Sequence, residues 1–218
     1  MANSFYQPGE GRSEKVNDLF AAIAPRYDRI NDLQSFGLHR LWKRQLIRLA
    51  NPKSGEQALD VCCGTGDIAF ALAAKGARVV GVDFSEPMLQ VARQKIKTDV
   101  PKMLSLQFLR GDAQQIPFPD ESFEIVTVGY GLRNLSSWET GLREMVRVAR
   151  PGGRLFVLDF GKPDNVFWRK AYFTYLKWLV PVFGKLSCGN SAAYAYIFES
   201  LKHYPAQHGI AAKMRELG

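Results

Sequence analysis

The chain has 218 residues, 46% of them hydrophobic and 23% charged, and a formal net charge of +8. That length and balance suit one globular domain with a substantial core, and they exclude a largely disordered, collagen-like or disulfide-framework protein. No run of about twenty apolar residues appears, Met1-Ala2-Asn3-Ser4 lacks a signal-peptide pattern, and three cysteines, two of them adjacent at Cys62-Cys63, lack zinc-site spacing. An intracellular, reducing location with no membrane span and no metal is therefore expected. The positive balance predicts attraction to anionic surfaces, nucleic acid or acidic lipid, without choosing between them.

In chain order, the residues up to about Ser13 are polar and rich in Gly and Pro and read as a loose tail. Residues 16–24 predict a short helix stopped by Pro25, and an amphipathic helix runs to about Ala50. Between them Tyr27, Asn31 and His39 mix aromatic, amide and imidazole groups, which suits a lid or pocket wall, or equally a helix covering a sheet edge. From Ala58 onward, apolar strands at 59–62, 79–83, 106–110, 125–129 and 155–160 alternate with helices, one reaching Lys75, one opening at Ser85 and one over 138–149. This is the pattern of an α/β, doubly wound, mostly parallel sheet covered on both faces, with added N-terminal helices and a helical insertion after the fifth strand. Ser85, followed by Glu86 and Pro87, predicts an N-cap, and Pro151-Gly152-Gly153 predicts a sharp turn feeding the fifth strand. The organisation expected is a single domain over 1–218, with a helical cap at 1–50, a cofactor-binding core at 51–160 and a helical, substrate- and membrane-facing region at 161–218.

The stretch from Leu59 through Asp60, Cys62, Cys63, Gly64, Thr65, Gly66 and Asp67 to Ala69 reads as strand, glycine turn and helix start. Its glycines let backbone pass close to a ligand, and the free N–H groups of the next helix point into the space above the strand. The letters also fit the looser G-x-G-x-x-A dinucleotide pattern, with Asp83 following. Asp60 and Asp67 beside phosphates would repel, whereas a ligand carrying an ammonium and no phosphate, such as S-adenosylmethionine, suits them. Ligands in such sheets sit beyond the carboxyl ends of the strands, where Asp60, Asp83, Asp112 and the Gly129-Tyr130-Gly131 run stand. Asp83 is suited to the ribose hydroxyls, Asp112 with Ala113 to the adenine amino group, and Phe84 or Met88 to the base.

At these residues the chain resembles the ubiquinone/menaquinone C-methyltransferase family, a branch of the class I S-adenosylmethionine-dependent methyltransferases. The resemblance spans nearly the whole chain, through Tyr27-Asp28 with Asn31, Ser35-Phe36-Gly37-Leu38-His39 with Trp42-Lys43, the glycine turn, Gly81-Val82-Asp83-Phe84-Ser85, Gly111-Asp112-Ala113, Gly131-Leu132-Arg133-Asn134, Glu144-Met145 to Arg154, and Tyr194-Ala195-Tyr196 to Ser200. It implies S-adenosylmethionine as cofactor, S-adenosylhomocysteine as product, and cofactor contacts at Asp60, Cys62, Gly64, Thr65, Gly66, Asp83, Phe84, Ser85, Met88, Asp112, Ala113, Gly129 and Tyr130. It also implies methyl transfer to a ring carbon of a polyprenylated quinol, with Arg133 and Asn134 in the reacting region and His39 and Tyr27 on the substrate wall. A quinol carbon becomes nucleophilic when a neighbouring hydroxyl loses its proton, so Arg133 is suited to steady the oxyanion and order a water that takes the proton. A loop-pinning role for the Arg-Asn pair and a structural role for His39 are the alternatives. The sequence departs from the family's pattern at Cys62, Cys63, Tyr130 and Asp159.

Phe167, Trp168, Arg169, Lys170, Tyr172, Phe173, Tyr175, Lys177, Trp178, Val180 and Phe183 mix aromatic and basic residues, as in a helix lying at a lipid headgroup interface or packed over the sheet. A lipid-soluble quinol favours peripheral contact with the inner face of the cytoplasmic membrane. Nucleic acid is not expected as a partner, since no Asn-Pro-Pro-aromatic motif follows the fourth strand. The sequence stops at Gly218, before the closing strand pair usual in this fold: either a tail follows that is missing from it, or an exposed sheet edge or a homodimer that lends a strand is expected.

Overall fold

The computed structural model describes residues 12–99, 105–188 and 192–218; the tail residues 1–11 and the side chains of Phe183 and Tyr194 lie outside the described set. Five strands form one parallel sheet: β1 (Gln57–Val61), β2 (Arg78–Asp83), β3 (Leu106–Arg110), β4 (Phe123–Gly129) and β5 (Ala149–Leu158), in the order β3-β2-β1-β4-β5. The order reverses between β1 and β4, where Ala58 pairs Ile125 and Val61 pairs Val128. Crossover chains leave in opposite directions there, so a crevice opens beyond the carboxyl ends of these two strands.

The strand alternation divides the core. Leu59, Val61, Val82, Val126 and Val128 face one side, packed against Leu142 and Met145 of α6 (Trp138–Val148) and against α1 (Arg12–Ile23), α7 (Val166–Cys188), α8 (Ala192–His203) and α9 (Ala206–Leu217). Ala58, Val79 and Ile125 face the other, against Leu46 and Ile47 of α3 (Leu38–Ala50), Leu72 of α4 (Asp67–Ala73) and Leu89 of α5 (Glu86–Asp99). Near-continuous apolar strands are what two covered faces require. The remaining helix, α2 (Tyr27–Gln34), follows a short 3-10 turn at Ala24–Arg26 that contains Pro25.

Three local expectations are corrected. The first helix starts at Arg12, so it is longer than residues 16–24. The Ser85 hydroxyl caps nothing: it is buried without a partner, and only the Ser85 carbonyl serves the helix start, accepting from the Leu89 amide at 3.1 Å. Pro151-Gly152-Gly153 lies inside β5 as an irregularity, since Phe123 pairs Ala149 whereas Ile125 pairs Arg154; the extra residues bulge from an edge strand, where a proline is tolerated.

Close approach makes one strand glycine obligatory. A Cβ on Gly81 would lie 2.5 Å from the Phe108 ring and 3.0 Å from the Cys63 sulfur. Gly81→Ala is expected to cost about 1–3 kcal/mol in urea unfolding, the range for an overpacked core, and Phe108→Leu in the same chain should return most of it. Independent additive costs would show that the ring is not the obstacle.

Candidate active site

The glycine turn is built by backbone bonds: the Cys63 amide donates to Val82 O at 3.1 Å and the Gly66 amide to Cys63 O at 2.9 Å. Cys62, Gly64 and Gly66 all have positive φ, at 53°, 55° and 88°. Asp83, at the end of β2, accepts from the Gly64 amide on one oxygen and the Ser85 amide on the other, both at 2.8 Å. Burial raises its pKa, partly opposed by those two donors. One carboxylate thus fixes the turn of β1 against the start of α5.

Beside it lies a cavity of about 90 Å³. Its floor and sides include Cys62, Gly64, Asp83, Phe84, Ser85, Met88, Asp112, Ala113, Gly129, Tyr130 and Asn134, and its roof is Val16, Asn17 and Phe20 of α1 with Tyr27 of α2. Arg110 lies over the Phe84 ring, 5.5 Å from its centroid. A smaller annexe of about 30 Å³ is lined by Asp60, Thr65, Asp67, Ile68 and Lys43. The Asp60 carboxyl is buried, accepting from Thr127 Oγ1 at 2.8 Å and from the Ala69 amide at 3.1 Å, and burial pushes its pKa up to about 7.

These walls fit an adenosyl sulfonium cofactor. Asn17 Oδ1, Asn134 Oδ1, Ser85 Oγ and the Tyr130 hydroxyl are buried without a partner among the described residues, and buried polar atoms call for hydrogen bonds that a ligand rich in hydroxyls and amines can make. Three carboxylates, Asp60, Asp83 and Asp112, favour an ammonium and hydroxyls over phosphates.

Two turn residues stand differently from expectation. Gly66 lines neither chamber; a Cβ there would come within 2.6 Å of Phe108 and 2.9 Å of Phe70, so its glycine serves packing and a positive φ. The Thr65 hydroxyl is taken up by Asp28, donating to Oδ1 at 2.7 Å. Asp28 also accepts from Lys95 at 2.7 Å, Lys95 reaches Asp67 at 3.3 Å, and Lys43 reaches Asp67 at 2.8 Å. The N-terminal helices are tied to the glycine turn by this charge chain. Asp28 and Lys43 stand inside the motifs Tyr27-Asp28 and Trp42-Lys43, but Asp28 is too distant in sequence from Thr65 and Lys95, and Lys43 from Asp67, for spacing to pair them.

A second, mainly apolar cavity of about 250 Å³ shares Phe20, Tyr27 and Tyr130 with the first. Leu19 and Ile23 of α1, His39, Trp42, Arg133, Phe160, Tyr172, Tyr175 and Tyr196 complete much of its wall. Tyr27 is buried, which raises its hydroxyl pKa. His39 Nε2 pairs with Asp32 at 2.8 Å, while its Nδ1 is buried without a partner.

The Arg-Asn pair is split between the chambers: Arg133 lines the second and Asn134 the first. Both also donate to the Tyr130 carbonyl, Asn134 at 3.1 Å, so the pair pins this loop as well. Arg133 is buried against Asp159 at 3.0 Å and lies over the Phe160 ring at 5.0 Å. Burial opposes the guanidinium charge, but Asp159 and nearby tyrosine hydroxyls outweigh it, and the pKa is raised. The roof residues Val16, Asn17 and Phe20 and the partner Asp159 are site residues that sequence reasoning misses; in a sequence, the former look like ordinary core spacing.

The chain matches the ubiE/COQ5 methyltransferase family over residues 9–218. It is 41% identical over 214 residues to the ubiquinone/menaquinone biosynthesis C-methyltransferase UbiE of Pseudomonas fluorescens, covering 97% of this chain and 83% of the relative. It is 38% identical over 212 residues to the demethylmenaquinone methyltransferase of Bacillus subtilis, covering 96% and 90%. Among solved structures it is similar to an S-adenosylmethionine-dependent methyltransferase from Aquifex aeolicus (TM-score 0.54, 22% identity, 73% of this chain and 86% of that one). It is also similar to the cyclase SpnF (TM-score 0.64, 18% identity, 88% and 91%). These two likenesses concern the fold, which carries more than one chemistry.

The raised Asp60 pKa predicts a pH dependence. The folded carboxyl holds its proton up to about 7, whereas the unfolded one loses it near 3.9. Between those values the folded state binds more protons, so stability falls as pH rises and levels off above the folded pKa. Asp60→Asn should remove this fall, on the order of a few kcal/mol, in urea titrations across that window. A wild-type slope no steeper than the variant's would refute the assignment.

Proposed function

This chain belongs to the ubiE/COQ5 methyltransferase family, and from that membership we propose that it methylates a ring carbon of a lipid-soluble quinol, benzoquinol or naphthoquinol. It is an S-adenosylmethionine-dependent C-methyltransferase. The observation that carries the acceptor reading is the apolar cavity of about 250 Å³ holding one buried arginine and sharing Phe20, Tyr27 and Tyr130 with the carboxylate-lined chamber. In this reading α1 and α2 roof both chambers, the carboxyl ends of the strands hold the cofactor, and α7 and α8 enclose the acceptor, with α7 facing the membrane.

When bound, the cofactor supplies an electrophilic methyl group. Asp83 would hold the ribose hydroxyls, Asp112 with Ala113 the adenine edge, Phe84 and Met88 the faces of the base, and Asp60 the ammonium. On the acceptor side the quinol must lose a hydroxyl proton, and a guanidinium is a poor base. Arg133 therefore acts through its charge, holding the developing oxyanion and ordering a water that accepts the proton, while Asp159 keeps the guanidinium in place. Tyr27 and His39 form the polar side of a wall that otherwise excludes water, which strengthens that electrostatic contribution.

Among the described residues no helix is long and apolar enough to cross a membrane. Peripheral contact at the inner face of the cytoplasmic membrane belongs to this reading. Phe167, Trp168, Trp178 and Val182 of α7 are exposed, with Lys170 and Lys177 near them, as suits a helix at a headgroup boundary. A homodimer belongs to it as well.

The test is transfer of radiolabelled methyl to extracted quinols, RNA and small phenols. Label should enter the quinol fraction, and labelling confined to RNA or phenols would defeat the reading. Arg133→Ala strands the buried Asp159 carboxyl, so the paired variant Arg133→Gln with Asp159→Asn is measured beside it. Both should lower turnover by roughly a hundredfold or more with cofactor affinity changed only a few-fold in calorimetry, and Arg133→Lys should recover little. Near-normal turnover in the folded paired variant would return Arg133 to loop pinning alone.

A further inference from the structure

The α3 helix carries two exposed stripes that neither the sheet nor the cofactor site uses. Its third face, with Leu46, Ile47 and Ala50, is buried on the sheet. Leu38, Leu41, Trp42 and Leu49 recur at helical spacing and are exposed, Leu41 by 54% and Leu49 by 58%. Arg40, Arg44 and Arg48, four residues apart, form a second exposed row. Arg40 is held by Asp32 at 2.6 Å, whereas Arg44 and Arg48 have no acidic partner among the described residues.

The apolar stripe continues into the acceptor cavity. Phe36, Leu38 and Trp42 line that cavity and are themselves exposed, Phe36 by 72%. Phe36 has φ 50° and Gly37 φ 75°, so the turn leading into α3 is held in left-handed backbone, an uncommon state for a bulky residue. The mouth of the chamber is therefore rimmed by apolar side chains that reach water, with a row of cations beside them.

We infer that the exposed face of α3 is a docking surface for an anionic lipid bilayer, seating the mouth of the acceptor cavity on the membrane so that a quinol enters from the lipid. This rests on the lipid-soluble acceptor and membrane contact proposed above, and adds a second contact element beside α7. A bilayer covers the apolar stripe while leaving open a route for a lipid-dissolved substrate; a protein seated on the same rim would stopper it. The arginine row complements anionic headgroups.

Co-sedimentation of the full chain with vesicles of phosphatidylcholine, and of phosphatidylcholine with phosphatidylglycerol in equal parts, tests the inference. Wild type should prefer the anionic vesicles. Arg44→Gln with Arg48→Gln should lower affinity for the anionic vesicles by about thirtyfold and so reduce the preference, and Leu41→Gln with Leu49→Gln should weaken binding to both vesicles. Methyl transfer to a short-tailed, water-soluble quinol should be unchanged in these variants, which shows a folded protein and an intact site. Unchanged vesicle binding in both α3 variants, with loss only in Trp168→Gln with Trp178→Gln, overturns the inference and leaves the α7 contact standing. Wild type that sediments with neither vesicle overturns both contacts, while turnover of the soluble quinol keeps the reaction standing. A shift from dimer to monomer in the leucine variant, with vesicle binding unchanged, assigns the face to a second copy and also overturns it.

Discussion

The arrangement of the two chambers depends on how the chain leaves β4. Tyr130 stands in the left-handed region at φ 61°, a conformation that costs roughly 1–2 kcal/mol for a residue with a Cβ. It persists because its neighbours over-determine it: the Tyr130 amide donates to Leu158 O at 2.7 Å, and its carbonyl accepts from both Arg133 and Asn134. The ring then stands in the wall common to both chambers, against Phe160 at 5.2 Å. Gly131 follows necessarily, since a Cβ there would lie 2.2 Å from the Cys62 side chain. The reversed turn is thus paired with the cysteine of the opposite strand end.

Charge organises the rest in two different ways. Asp60 and the Arg133–Asp159 pair are buried and Asp83 is half-buried, and each has defined hydrogen-bond partners that make a carboxylate or guanidinium tolerable in a poorly solvated place. The chain Asp28–Lys95–Asp67–Lys43 is partly exposed, with side chains 15% to 33% accessible. Bridges of that kind contribute little each and are weakened by salt. The cofactor floor is therefore rigid, while its tie to the N-terminal helices is the softer joint.

Much of this architecture is legible in the amino-acid sequence, and for a physical reason. A carboxylate ending an apolar run is visible because strand and turn are local, so Asp60, Asp83 and Asp112 can be placed at strand ends from their neighbours alone. The doubly wound, mostly parallel sheet follows from the same locality, since apolar strands alternating with helices permit few arrangements. The roof is legible only in outline, as a helical cap and a substrate-facing helical region: Phe20, Tyr172 and Tyr196 meet across the acceptor cavity from three distant helices, and their spacing is that of any buried face. The packing need at Gly66 is not legible, because a turn glycine reads the same whether a ligand or a phenylalanine ring comes close. Ser85 misleads because a cap needs its hydroxyl turned back to the helix, an orientation a sequence does not encode.

The shared wall of Phe20, Tyr27 and Tyr130 has a thermodynamic consequence. A ligand on one side that moves or stiffens these rings changes the binding free energy on the other, and linkage requires the effect to be reciprocal. By whatever factor the cofactor tightens or loosens its companion, the companion changes cofactor affinity by the same factor. The spent cofactor and the methylated ring are subject to the same rule. Occupancy of such a vestibule is set by the mutual persuasion of two guests across one partition, and a substitution in that partition alters both occupancies at once.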